Sequence, residues 1–279
     1  MISPAILDGP RLKVERAYRH IDEIIQRSSP LDNTLYEITY DHHAMFPDLK
    51  EPGLYVHYRP LKCISETFGL MIGDAVHNLR AALDHLSTGI CRSIDPTAKP
   101  YFPMDSNRAK LISHASFPLL ERALPAATRL ILEKLRPENG PNETLWRFNA
   151  LDNDDKHNLI LPTLTVTGIS GINITDKGNT VSDCGVFGDA STVIGIYGAP
   201  YFTGTINGDA KVAVDLHFGA GTPFEHRPVV STLTEIAALV SDVIDQFAKL
   251  VLVRTKRNRN YSPIRSKPNI NRKANKKSK

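Results

Sequence analysis

Apolar residues recur at alternating three- and four-residue spacing between Arg11 and Arg27, at Val14, Ala17, Tyr18, Ile21, Ile24 and Ile25, and the run stops at Ser28-Ser29-Pro30. That period places them on one face of a first helix. Residues 34–40 and 54–59 carry Tyr and Val in partial alternation and flank a stretch with Pro47 and Pro52-Gly53, which predicts a hairpin with a long connection. A long helix follows from Ser65 to about Ile94 and is stopped by Pro96. Residues 106–136 predict one or two shorter helices interrupted by Pro118 and Pro125, and a further helix is expected from Asn142, its cap, to about Asp155. The pattern then changes. Residues 159–218 are rich in Val, Ile, Thr and Gly, with turn signals at Asp176-Lys177-Gly178, Gly188-Asp189 and Asn207-Gly208-Asp209, the signature of an antiparallel sheet. A last helix is expected from Thr232 to about Val253, opened by a Thr232/Glu235 capping box and striped by Leu233, Ile236, Val240, Ile244, Phe247 and Val251.

The expected architecture is α+β: a helical bundle with an N-terminal β-hairpin insert and a C-terminal antiparallel β-sheet followed by a final helix. Residues 1–253 form a single globular domain, with the helical part at about 1–158, the sheet at about 159–218 and the final helix at about 232–253. No internal repeat is found.

Composition adds limits. With 279 residues, 41% of them apolar, the chain can bury a sizeable core without staples. Cys63, Cys91 and Cys184 are scattered and form no CxxC pair, which argues against a disulfide framework or thiolate zinc and for a reducing, cytoplasmic setting. No signal peptide and no membrane-spanning run is expected. The formal charge of +4 hides an asymmetry: residues 254–279 hold eleven Lys and Arg and no acid, leaving 23 basic against 30 acidic residues in the remainder. Such a tail is expected to be disordered and to favour a polyanion, of which RNA is the leading case, through Arg254, Lys256, Arg257 and Arg259. The bland alternative is a solubilising terminus with no specific partner.

Two polar clusters stand out. On the long helix, Asp74, His77, Asn78, Asp84 and His85 share one stripe, opposite Ile72, Ala75, Val76, Leu79, Ala82, Leu83, Leu86 and Ile90, with Arg80 at the boundary. The plain reading is the wet face of a surface helix, but such a face ordinarily uses Lys, Glu, Gln and Arg, and Asp, His and Asn are poorer helix formers, which favours groups placed for a partner or a buried network. The second cluster packs Asp152, Asn153, Asp154, Asp155, Lys156 and His157 into six positions. Asp152 and Lys156 are spaced as an ordinary surface pair worth about 0.3–0.5 kcal/mol, yet the same groups also suit acid/base work or metal ligation.

The clusters resemble a family of uncharacterised bacterial proteins in which a GDAxHNLRxALDHL helix is followed by a Phe-Pro-Ile-like element and a helix ending LDNxDKHR. Here they read GDAVHNLRAALDHL (73–86), FPM (102–104) and LDNDDKHN (151–158), with Asn158 where the family has Arg. The likeness spans roughly residues 8–160 and names no reaction. A broader similarity is to HEPN-type helical proteins, whose signature is Arg, four to six residues, then His: Arg80 and His85 fit it, with Ala81 where that pattern often has a polar residue. A second such pair, Arg108 and His114, lies in no comparable stripe.

The HEPN resemblance implies a metal-independent endoribonuclease or RNA-binding protein built as a homodimer. His85 would then act as general acid or base, Arg80 would stabilise the phosphorane, and His157 and Lys156 would add a second acid and a phosphate contact. One alternative is a metal site on His77, His85 and His157 with Asp74 or Asp155, against which His77 and His85 stand about 12 Å apart along the helix axis. The other is a non-catalytic interaction module whose Asp, Asn, Arg and His residues form a buried polar network. No Walker, Rossmann, GxSxG, HExxH or EF-hand pattern occurs, so no cofactor is expected.

Overall fold

A computed structural model describes residues 2–28, 36–42, 54–60, 65–140, 142–176, 178–187, 193–196, 205–207 and 211–260. A short 3-10 turn leads into helix α1 (Asp8–Ser28). Its Val14, Ala17, Ile21 and Ile24 are buried as the spacing predicts, whereas Tyr18 and Ile25, at the stripe's margin, stay 37% and 44% exposed. Strands β1 (Tyr36–His42) and β2 (Leu54–Pro60) form the expected antiparallel hairpin, in register from Tyr36 opposite Pro60 to His42 opposite Leu54. The long helix is α2 (Thr67–Arg92). Three short helices follow, α3 (Arg108–Ile112), α4 (Phe117–Ala123) and α5 (Pro125–Arg129), the last running into a π-helical stretch at Leu130–Leu135. In α6 (Glu143–Asp155), the Asn142 side chain caps the start by accepting from the Leu145 amide at 3.4 Å.

Strand β3 (Pro162–Asp176) is the spine of the larger sheet. It pairs with β4 (Asn179–Phe187), with Asp176 opposite Asn179, and Gly178 before β4 sits at φ 82°, a conformation glycine adopts without strain. Strand β5 (Val193–Ile196) leaves that sheet and pairs with β2, so the hairpin becomes a three-stranded sheet. Strands β6 (Thr205–Asn207) and β7 (Lys211–Phe218) both pair with β3 along the edge opposite β4. The turn expected at Gly188-Asp189 and most of that at Asn207-Gly208-Asp209 lie outside the described residues.

The final helix, α7 (Val229–Asn260), departs from expectation at both ends. It starts before Thr232, because the Pro228 carbonyl accepts the Thr232 amide at 3.1 Å. Thr232 is thus buried within the helix instead of capping it, and Glu235 pairs with Arg227 at 2.6 Å. At the other end the helix continues seven residues into the segment expected to be disordered. Lys and Arg near a helix C-terminus complement the macrodipole within its last turn. The rest of the basic tail, residues 261–279, lies outside the described residues.

Helices α1, α2 and α7 enclose the core. The α2 face from Ile72 to Ile90 is completely buried, and α7 contributes Leu233, Ile236, Val240, Ile244, Phe247 and Val251. Phe102, from the loop after α2, stacks obliquely on Phe247 with centroids 5.9 Å apart.

Candidate functional site

The two polar clusters meet in space. Helix α2 carries glycine at 69 and 73, one turn apart, and the end of α6 with the chain behind it packs onto that bare strip. A Cβ on Gly73 would overlap the Asp155 carboxylate, and one on Gly69 would stand 2.6 Å from the Ile160 carbonyl oxygen. This approach brings α6 beside the His77 turn of α2. Asp152, only 1% exposed, takes His77 Nδ1 at 3.5 Å on one oxygen and Lys156 Nζ at 2.6 Å on the other. Lys156 also donates to Asn153 at 3.2 Å. The Asp152/Lys156 spacing therefore does more than make a surface pair: its acid end is an interior group shared between two helices.

Arg80 and Asp84 form the second element of the network. They pair at 3.1 Å, one turn apart, and both hold the backbone of Phe102: the Phe102 amide donates to Asp84 Oδ1 at 2.8 Å, and Arg80 Nη2 donates to the Phe102 carbonyl at 3.2 Å. Burial lowers the pKa of Arg80, opposed by Asp84 and Asp152, and burial likewise raises that of Asp84 against the pull of Arg80 and the Phe102 amide. His114 lies on this side too. Its pKa is lowered, first by burial, with Asp105, Arg80 and Asp84 as its charged neighbours, and its Nδ1 accepts the Ser116 amide at 3.2 Å.

His85 points elsewhere. A Cβ on Gly9 of α1 would lie 3.4 Å from His85 Nδ1, so this exposed imidazole borders the start of α1. On a helix turning about 100° per residue, Arg80 and His85 are about 140° apart. Asn78 donates to the Asp74 carbonyl at 2.8 Å and accepts from Lys13 at 3.2 Å, tying α2 to α1. The stripe is thereby divided between two neighbours: Asn78 and His85 serve the α1 side, while His77, Arg80 and Asp84 serve the α6 and Phe102 side.

Between α2 and the turn after α6 a cleft of about 330 Å³ opens, lined by Leu70, Gly73, Asp74, Asp155, Lys156, His157, Asn158 and Leu159. The Asp155 carboxyl has a raised pKa, chiefly from burial and then from Asp152 and Asp74, offset in part by His77 and Lys156. The set His77, His85 and His157 does not gather, and among the described residues no group of three or more His, Cys, Asp or Glu is placed to hold a metal ion. Arg254, Lys256, Arg257 and Arg259 lie on the backbone of the α7 extension.

The network thus includes residues that the polar pattern did not single out: Gly69 and Gly73, the Phe102 backbone, His114, and the cleft-lining Leu70 and Leu159. The GxxxG spacing was the available signal for the first two; a main-chain amide leaves none. No helix among the described residues is long and apolar enough to cross a membrane. Compared with models of known protein families, with curated proteins and with solved structures, the chain matches none.

Proposed function

We propose that the chain is a nucleic-acid-binding module that takes RNA by its phosphates through the end of α7, on a scaffold held together by the two polar clusters. The observation that carries this reading is the helical backbone of α7 running on through the basic segment. Val251 is buried, Leu252 and Val253 after it are 48% and 65% exposed, and the helical backbone continues to Asn260 through a stretch of sequence holding Arg254, Lys256, Arg257 and Arg259. A helical backbone whose sequence carries four cations in six residues is an element suited to phosphates, with affinity from counterion release and little sequence preference. Arg80 fits a scaffold better than a reaction, because its guanidinium is buried and engaged with Asp84 and Phe102.

The test measures fluorescence anisotropy of labelled single-stranded RNA with the full chain and with a truncation after Val253, over a salt series. Binding should weaken as salt rises, with a slope of about 0.7 per phosphate neutralised, and should be lost in the truncation. Retention of full affinity by the truncation sinks the reading. The same samples are followed for strand cleavage in EDTA alongside His77→Ala and His85→Ala; cleavage abolished by either variant would replace a binding module with a metal-independent ribonuclease.

A further inference from the structure

The RNA binding proposed for α7 makes no use of the cleft between α2 and the turn after α6, whose lining has its own chemistry. At about 330 Å³ it falls at the lower end of the small-molecule range. One wall is aliphatic: Leu70 is 59% exposed and Leu159 38% exposed. The other holds the Asp74 and Asp155 carboxylates, to which no hydrogen bond or ion pair is found among the described residues. Lys156 and His157 also line the cleft; the Lys156 ammonium is engaged by Asp152 at 2.6 Å and Asn153 at 3.2 Å, and it offsets only part of the charge on Asp155, whose proton stays held above the ordinary range.

We propose that this cleft binds an aliphatic cation, an ammonium or guanidinium group on a short hydrocarbon stem, with the head between Asp74 and Asp155 and the stem along Leu70 and Leu159. An anion would meet two carboxylates while the Lys156 ammonium stays held by Asp152 and Asn153, and a neutral apolar guest would strip the carboxylates of water without compensation. A bare divalent ion would leave the leucine wall unused and find too few ligands, since no three metal-binding side chains gather among the described residues. The aliphatic cation satisfies both walls, and it relieves the repulsion between Asp155 and its acidic neighbours that helps to hold the Asp155 proton. The same head and stem occur in free diamines and in the Lys or Arg side chain of a peptide.

Isothermal titration calorimetry on the full chain tests this with agmatine, n-butylamine, n-butanol and butyrate as probes. Agmatine and n-butylamine should bind one to one and the neutral and anionic probes should not. Asp74→Asn should weaken binding about tenfold or more. Leu70→Lys, a change at an exposed position that cannot disturb the core, should do the same by placing a cation in the cleft. A tetrapeptide with one central Arg separates the sources: tighter binding than agmatine assigns the cleft to a peptide side chain, weaker binding to a free amine. The proposal is overturned if the folded protein binds no amine, if n-butanol binds as well as n-butylamine, if both variants bind like the parent, or if MgCl2 alone displaces agmatine.

Discussion

Asp84 accepts the backbone amide of Phe102 at 2.8 Å, and the arginine one turn before it on α2 returns a hydrogen bond to the carbonyl of that same residue. A single i, i+4 pair thus reads both polar groups of one peptide residue, fixing the loop whose Phe102 ring packs on Phe247 of α7. The clamp should therefore be worth far more than an exposed ion pair of the same spacing.

Arg80→Ala should lower unfolding stability by about 2–4 kcal/mol, because the half-buried Asp84 would lose its cation, the Phe102 carbonyl its donor, and the core the buried Arg80 stem. Arg80→Lys should recover only part of this, since one ammonium does not reproduce the planar fork that spans both acceptors. Urea denaturation of the three proteins decides it; a loss below about 1 kcal/mol in Arg80→Ala would place this pair among ordinary surface interactions.

The raised pKa of Asp155 means that the folded state holds this proton more tightly than the unfolded chain does. Stability should then fall as pH rises from the ordinary aspartate value of about 3.9 through the raised one, with the penalty fully present above it and absent below the ordinary value. Asp155→Asn should remove that portion of the slope and stabilise the protein at neutral pH. Asp84, also raised, contributes the same sign and persists in the variant. Melting curves for both proteins across the acid range should converge at low pH; parallel curves would show that Asp155 carries no such linkage.

Gly69→Ala should destabilise despite the better helix propensity of alanine. The gain of about 1 kcal/mol is outweighed by overpacking against the Ile160 carbonyl, which is main chain and cannot swing aside, at a cost of about 1–3 kcal/mol. Gly73→Ala meets only the end of the Asp155 side chain and should cost less, at the expense of the cleft's shape. Chemical denaturation ranks the two, and the reverse order would contradict the packing described.

Cys91 is buried, and burial with Asp95 nearby pushes its thiol up to about 11. Thiolate is the reactive form, so a variant retaining only this cysteine should resist Ellman's reagent until it is unfolded. Prompt labelling of the native protein would show that the α2 face opens readily.

Much of the fold was legible because burial imposes a period. The α2 stripe from Ile72 to Ile90 repeats at helical spacing and is wholly buried, and the change to Val, Ile, Thr and Gly after residue 159 marked the sheet where β3, β4 and β7 form. The start of α7 was misplaced because a Thr-x-x-Glu pattern is local, while the helix is set by Pro228 and by Glu235 turning to Arg227. Likewise β5 joined β2 instead of its neighbours in sequence, since strand pairing joins positions far apart in the chain.

The same division runs through the site. The amino-acid order by itself determined which side chains face away from the α2 core and placed Asp152, Asp155 and Lys156 at a helix end, because side-chain direction follows from a repeat of about 3.6 residues. Only the tertiary structure decided what they meet: Arg80 and Asp84 go to a main-chain group that has no side-chain signature, Asp152 to His77, Asp155 to the bare face of Gly73, and His85 to the start of α1. The reason is physical: a helix period fixes angles about one axis, whereas a contact needs the position of a second element, which is set by how the whole core packs.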